Sequence, residues 1–409
     1  MKRVIRWVTV GLFVLCAAIF VLLGVVQNEV PGVFKNTENQ TAFSLFSGAV
    51  TASACPKTGS EKVAAANGDL EEWDVRLFGV IPIKTVTVKV GDAPVVSLCG
   101  VPFGIKAYTD GVLVVGLCDV DTHAGNRSPA KNAGVRLGDV ILAIDGKAVT
   151  TNEEVSALIV GANGRAQTFS VRRDGVEFPV TVRAEYSASE SAFKAGMWVR
   201  DSAAGIGTLT FYDTETGVLA GLGHAICDVD TGEPLPISGG ELVPAYIFGI
   251  DKGEEGKAGE LRGSFTGGTL GTLCKNGETG IYGTGGKSPT IDEPVTVAMK
   301  QEVQEGAVKI LTCVAGNEPA WYDAEITKIR YTDTSPTRNM VVKITDPALI
   351  AATGGIVQGM SGSPILQNGK LVGAVTHVFL NDPTSGYAIF AETMWKTAAA
   401  TAENAGTAA

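Results

Sequence analysis

The sequence predicts a mainly β chain tethered by one N-terminal membrane-crossing helix, and three observations support this. Glycine is abundant, at 51 of 409 residues, and Val/Thr-rich runs follow the two-residue period of half-buried strands. The pairs Asp145-Gly146, Asp174-Gly175 and Asn368-Gly369 punctuate those runs, and such pairs suit tight hairpins because both members tolerate a positive φ. The stretch "WVTVGLFVLCAAIFVLLGVV", Trp7 to Val26, carries no charge over twenty residues, which as a helix is long enough to cross a bilayer's hydrocarbon.

Lys2, Arg3 and Arg6 precede that stretch, so the basic end is expected in the cytoplasm and everything beyond about residue 27 outside. Gln27, Asn28 and Glu29 make a poor cleavage site, which favours a signal anchor at residues 1–26 over a cleaved signal peptide. Residues 27–72 are rich in Ala, Ser, Thr and Asn and read as a linker. The Ala-rich end, residues 397–409, reads as a frayed tail.

Composition narrows the function. The chain is 45% hydrophobic and carries a net charge of −10, with no basic stripe, so nucleic acid is not an expected partner. Only His123, His224 and His377 are present, and the seven cysteines form no CxxC pair; a metal site or other cofactor is not expected. The cysteines read as isolated thiols, with a Cys99–Cys118 bridge conceivable if their strands are neighbours.

Residues 73–190 read as a β segment followed by a peptide-binding module. "GVPFGIKAYTDGVLVVGL" (100–117) reads as strand, and "SPAKNAGVRLGDVILAIDGKAV" (128–149) as short helix, turn, strand and turn. "TNEEVSALIV" follows as a capped amphipathic helix, and "FSVRRDGVEFPVTV" as a hairpin. This order resembles a PDZ domain. The resemblance places the loop that grips a peptide carboxylate at Pro102, Phe103, Gly104 and Ile105, where a bound peptide would add as a strand.

The chemistry is expected in residues 191–396. In "GMSGSPI", Ser361 stands among Gly359, Gly362 and Pro364. Such bare neighbours leave room for a substrate carbonyl and let the N–H groups of Gly359 and Ser361 converge on an oxyanion. A serine hydroxyl needs a base. His224, in "GLGHAI", is the better-placed imidazole, because His377 closes the hairpin directly after the serine and reads as a packing residue. Cys227, three residues after His224, is a weaker candidate nucleophile because its frame "AICDVD" lacks glycine.

"GLGHAI", "IVQGMSGSPILQNGKLVGAVTHVF", "LFGVIPIK" and the PDZ segment, in this order, resemble the SpoIVB (stage IV sporulation protein B) peptidase family. That resemblance implies a chymotrypsin-like double β-barrel carrying a PDZ domain. It implies a membrane-anchored serine endopeptidase made in the forespore, acting between the two forespore membranes. Its partners would be itself, through cleavage in the N-terminal region, and a membrane-bound regulator of pro-sigma-K processing. It also implies Asp346 as the third catalytic residue beside His224 and Ser361. The local sequence gives Asp346 a second reading, since Asp-Pro before an apolar stretch closed by Gly354-Gly355 is a helix N-cap. Asp346 lies only fifteen residues before the serine, and Asp251 and Asp292 suit the usual chymotrypsin-like spacing better. An HtrA-like quality-control protease, which places its PDZ domain after the protease, and a non-catalytic membrane-tethered PDZ adaptor are the competing readings.

Overall fold

The computed structural model describes residues 2–36, 41–46, 48–54, 70–285, 294–332 and 334–407, and the counts below are of these residues. Helix α1 (Lys2–Glu29) contains one segment, Val10–Glu29, long and apolar enough to cross a membrane; that fits an anchor or a signal sequence alike.

Where it is described, the segment expected as a linker (27–72) is mostly strand. Strands β1 (Val33–Asn36), β2 (Ala42–Leu45), β3 (Val50–Ala54), β4 (Leu70–Leu77) and β5 (Ile81–Val90) form a five-stranded sheet in the order β1-β5-β4-β3-β2. One face buries Phe34, Leu45, Val50, Trp73 and Val88 in a cluster shared with Val308, Ile326, Val342 and Phe390 of the C-terminal barrel. Each such side chain contributes about 1.5–3 kcal/mol when fully buried. The polar bulk of the segment hid this, because the surface that its few apolar residues cover belongs to residues more than 200 positions away. Residues 55–69, within the span expected to hold self-cleavage sites, lie outside the described residues.

Strand β6 (Val95–Leu98) and the 16-residue β7 (Pro102–Leu117) enter a 13-stranded sheet that joins two regions. The second half of β7 pairs with Val140–Ile144, which continues through Ala166–Arg173 to Val176–Arg183. With α2 (Pro129–Ala133) and α3 (Asn152–Gly161), these strands enclose the PDZ core around Ile141, Ile144, Val155 and Phe169. The sequence offers Thr151 or Asn152 as the cap of α3; the fold uses Thr151, which closes a capping box with Glu154. Met197–Asp213 runs along one edge of β7 for its whole length, from Leu117 back to Pro102, while on the other edge the first half of β7 pairs with Ile237–Asp251. One strand thus serves both regions, and the 73–190 unit expected from the sequence is divided among the N-terminal sheet, the peptidase sheet and the PDZ core.

A closed six-stranded barrel follows, built from Gly306–Thr312, Ala320–Ile329, Met340–Ile344, Pro364–Gln367, Lys370–Phe379 and Asp382–Phe390. Helix α4 (Pro347–Thr353) leads into its serine loop. The expected tail is instead part of α5 (Ala391–Thr407), which buries Met394, Ala398 and Thr401. Alanine favours helix, and this periodic face finds a surface to cover. Cys99 and Cys118 are both free thiols.

Candidate active site

Ser361 lies on a loop of the closed barrel that the 13-stranded sheet clamps from the other side. Thr208 N donates to Ser361 O (2.9 Å), Thr208 Oγ1 to Gly359 O (2.9 Å) and Thr210 Oγ1 to Gly362 O (2.7 Å). From within the barrel, Gly362 N donates to Val375 O (2.8 Å), and Ser363 Oγ to Met360 O (2.6 Å). Two glycines make this clamp possible. A Cβ on Gly362 would stand 2.0 Å from Thr208 O, and one on Gly359 3.0 Å from Leu261 Cβ; their φ angles, +93° and +97°, are in the left-handed region.

His224 is delivered by the turn after Val218–Gly221. Leu222 and Gly223 both take positive φ, +63° and +71°, which swings the chain against the barrel. A Cβ on Gly223 would meet Ile389 Cγ2 at 2.9 Å and Thr376 Cγ2 at 3.0 Å. The turn therefore seats His224 beside the closed barrel. The imidazole lines one cleft with Gly359, Ser361, Cys227 and His377, and its ring centroid is 4.9 Å from that of His377.

The imidazole's tautomer follows from its partner. His224 Nδ1 lies 2.8 Å from Ala225 O. A carbonyl only accepts, so the neutral ring carries its proton on Nδ1 and keeps Nε2 as an acceptor. Burial holds the His224 pKa below the usual imidazole value, against the opposing pull of the Ala225 carbonyl. Asn276 pins the following turn: its Oδ1 accepts from Ile226 N (2.8 Å), and its Nδ2 donates to Ile226 O (2.9 Å) and Leu235 O (3.0 Å). Ser361 Oγ donates to Thr376 O (2.7 Å), so in this structure the serine hydroxyl rests against the barrel. Neither Gly359 N nor Ser361 N donates to a protein acceptor among the described residues, and two such free donors can bind a developing oxyanion.

The structure thus brings Ser361, His224 and Gly359 together. It does not bring Asp346 to them. Asp346 is the N-cap of α4: Oδ1 accepts from Ala348 N (2.9 Å) and Leu349 N (3.1 Å), and Oδ2 from Asp323 N (3.3 Å). These N–H bonds hold its carboxyl below the usual carboxylate range, and the Nδ1 partner it would have needed is a backbone carbonyl. Asp251 is engaged with Arg262, and Asp292 lies outside the described residues.

The loop assignment Pro102–Ile105 is likewise corrected. These residues are central strand, paired with Ile206–Thr208 and Gly205 on one edge and Leu242–Pro244 on the other. Phe103 is fully buried, so no row of N–H groups is left to grip a carboxylate. The groove of the PDZ region runs instead between α3, at Val155 and Ile159, and the chain at Cys118–Asp121.

His377 was expected as a packing residue and proves to be a second imidazole in the cleft. Burial, then His224, then Arg338 push its pKa down to about 4. Its Nδ1 is buried without a partner among the described residues. Its adjacency to Ser361 comes from strand pairing after the Asn368-Gly369 turn, which the sixteen-residue spacing does not reveal. Asn276, Thr208 and Thr210 were also missed, since a lone Asn or Thr in a strand carries no signal of its own. Cys227 lines the cleft, but burial and then Glu233 raise its thiol pKa, which disfavours the thiolate.

A pH prediction follows from His377. The unfolded imidazole, at about 6.5, binds a proton that the folded one refuses until about 4. Stability is therefore present above pH 6.5 and declines as the pH falls toward 4. Thermal midpoints measured from pH 7.5 to 4 should fall more steeply for the wild type than for His377→Leu; equal slopes would show that His377 titrates normally.

Comparison with known proteins places the chain in a family. The SpoIVB peptidase S55 family matches residues 191–395, and a PDZ domain family matches residues 121–173. The magnetosome formation protease MamE of Paramagnetospirillum magneticum (strain ATCC 700264 / AMB-1) is 39% identical over 77 residues, which are 19% of this chain and 9% of that protein. Among solved structures, the active form of the Rv3671c protease from M. tuberculosis is similar at 14% identity and TM-score 0.30, over 49% of this chain and 74% of that one. The HtrA-type protease AlgW with decapeptide is similar at 13% identity and TM-score 0.30, over 50% and 55%. The family match takes in half of the chain and contains both His224 and Ser361 of the cleft; the chain carries a PDZ domain and belongs to the SpoIVB peptidase S55 family.

Proposed function

We propose that Ser361 is the nucleophile and His224 its general base, with the N–H groups of Gly359 and Ser361 as the oxyanion hole. The observation that carries this is the shared cleft, in which a glycine-framed serine and an imidazole of fixed tautomer come from two separately built β units. The hydroxyl swings from Thr376 O toward His224 Nε2, gives up its proton there and attacks the peptide carbonyl. His224 then returns the proton to the leaving amine, and water hydrolyses the acyl-enzyme by the same route. The Ala225 carbonyl supplies the orientation usually given by a carboxylate. Asp346 acts at one remove, by capping the helix that leads into the serine loop.

The chain is further read as a signal-anchored sporulation peptidase. It works between the two forespore membranes, cleaves itself within residues 27–72, and cuts a membrane-bound regulator of pro-sigma-K processing. The PDZ groove beside α3 binds an extended peptide. Support for this reading is the family membership together with α1. Mass spectrometry of purified wild type and Ser361→Ala, with a fluorophosphonate probe, tests it. Wild type is expected to label at Ser361 and to shorten at its N-terminus, and Ser361→Ala to do neither. Shortening that persists in Ser361→Ala without another protease would remove Ser361 as the nucleophile.

A further inference from the structure

The hairpin turn between β4 and β5 lies beside α1 and is apolar where a water-facing turn is normally polar. Leu77 to Ile83, "LFGVIPI", is seven residues without charge. Phe78 is 62% exposed and Val80 75% exposed. Phe78 holds φ +52°, a left-handed conformation that bulky residues avoid. The neighbouring turn after β2 offers a contrast at the same end of the sheet, where Leu45 pairs with Val50 and Val50 with Leu77. There Phe46 also has φ +52°, but its ring packs edge-on against Tyr331 at 5.3 Å. The protein covers one of the two tip phenylalanines and leaves the other bare.

The position of α1 says what faces the bare tip. Val26 and Val30 are buried in the core cluster, and Leu23 packs against it together with Ile81 and Ile83. Lys84 Nζ donates to Gln27 O (3.1 Å) and to Val30 O, tying the end of α1 to β5. After that tie the chain turns into β1, parallel to β5 with Val33 opposite Thr87, and so runs away from the tip. The rest of α1 therefore extends past the tip. Five strand residues from Lys84 to Gly79 cover about 16 Å, and ten helical residues from Val30 back to Phe20 cover about 15 Å. The tip stands level with Phe20 and Val21, which are 80% and 66% exposed on α1. Behind it stand Arg76, opposite Pro82 and ion-paired with Asp74 (3.3 Å), and Lys84, opposite Val75 and bonded to the end of α1.

We propose that Phe78 and Val80 insert into the acyl–headgroup boundary of the bilayer that α1 enters, fixing the height and tilt of the cleft above the membrane. The proposal rests on reading α1 as an anchor. An apolar tip beside an apolar helix matches the boundary where hydrocarbon meets headgroups, and the bare tip adds to the exposed apolar surface of α1 itself.

The test uses the full-length chain in phosphatidylethanolamine/phosphatidylglycerol vesicles doped with a phospholipid bearing a diazirine on its acyl chain. After photolysis, adducts are mapped by mass spectrometry. Adducts are expected in α1 and in residues 77–83, the latter at least tenfold above the turn at Val176, an equally bare residue at 64% exposure. The double variant Phe78→Glu, Val80→Glu should lose the tip adducts, keep those in α1 and hydrolyse a soluble peptide at the wild-type rate. Adducts in α1 with none in 77–83 would overturn the inference and leave the anchor standing, with the tip facing water or a protein. Adducts in neither segment would overturn both.

Discussion

His224→Ala is expected to lower kcat/KM for peptide hydrolysis on the order of 10⁴-fold or more, the size of loss seen when a serine peptidase is deprived of its base. No other group in the cleft can replace it readily. His377 is the nearest imidazole, but burial, the larger cause of its lowered pKa, remains in the variant and keeps it a weak proton acceptor, and burial raises the Cys227 thiol pKa. Because burial keeps His224 neutral below the ordinary imidazole pKa, the acid limb of wild-type kcat/KM should lie below pH 6.5.

Asp346→Ala provides the contrast. Loss of an N-cap costs about 1 kcal/mol of stability, and kcat/KM should stay within about tenfold of wild type. Asp346→Ser, which keeps a capping oxygen, should restore the stability. Steady-state kinetics with chemical denaturation on the three variants decide the matter. A 10⁴-fold loss in both Asp346 variants with the fold intact would place that carboxylate on the imidazole during turnover.

Gly362→Ala is expected to cost about 2–4 kcal/mol and to abolish hydrolysis. The added Cβ would stand 2.0 Å from Thr208 O and 2.5 Å from Leu222 N. Both are backbone atoms, which cannot swing aside as a side chain can, so the strain falls on the junction itself. The positive φ adds roughly 1 kcal/mol. The displaced contacts are those that hold the serine loop, Thr208 N to Ser361 O and Thr210 Oγ1 to Gly362 O, so the nucleophile moves away from His224. Gly369→Ala is the control, with a similar φ of +76° but open space around it; it should cost only about 1 kcal/mol and leave kcat/KM unchanged. A Gly362→Ala protein as stable and active as wild type would mean that the loop is not clamped as described.

The sequence by itself determined the chemistry of the parts. Glycines around Ser361, the "GLGHAI" turn, the capping box of α3 and the uncharged run of α1 are all local patterns, set by what a backbone can do over a few residues. Tertiary structure decided which parts meet. Pro102–Ile105 has the composition of a binding loop, yet two long-range strand pairings turn it into core. Asp346 carries both a capping signature and a catalytic expectation, and in the fold the N–H groups of Ala348, Leu349 and Asp323 surround it. His377 and Asn276 become site residues only because strands distant in sequence lie side by side. Val33–Asn36, Ala42–Leu45 and Val50–Ala54 become sheet because a barrel formed far downstream supplies the surface their few aromatics cover. Local conformational preference is a property of neighbouring residues; proximity across a fold arises from the packing of the whole chain, which no short stretch records.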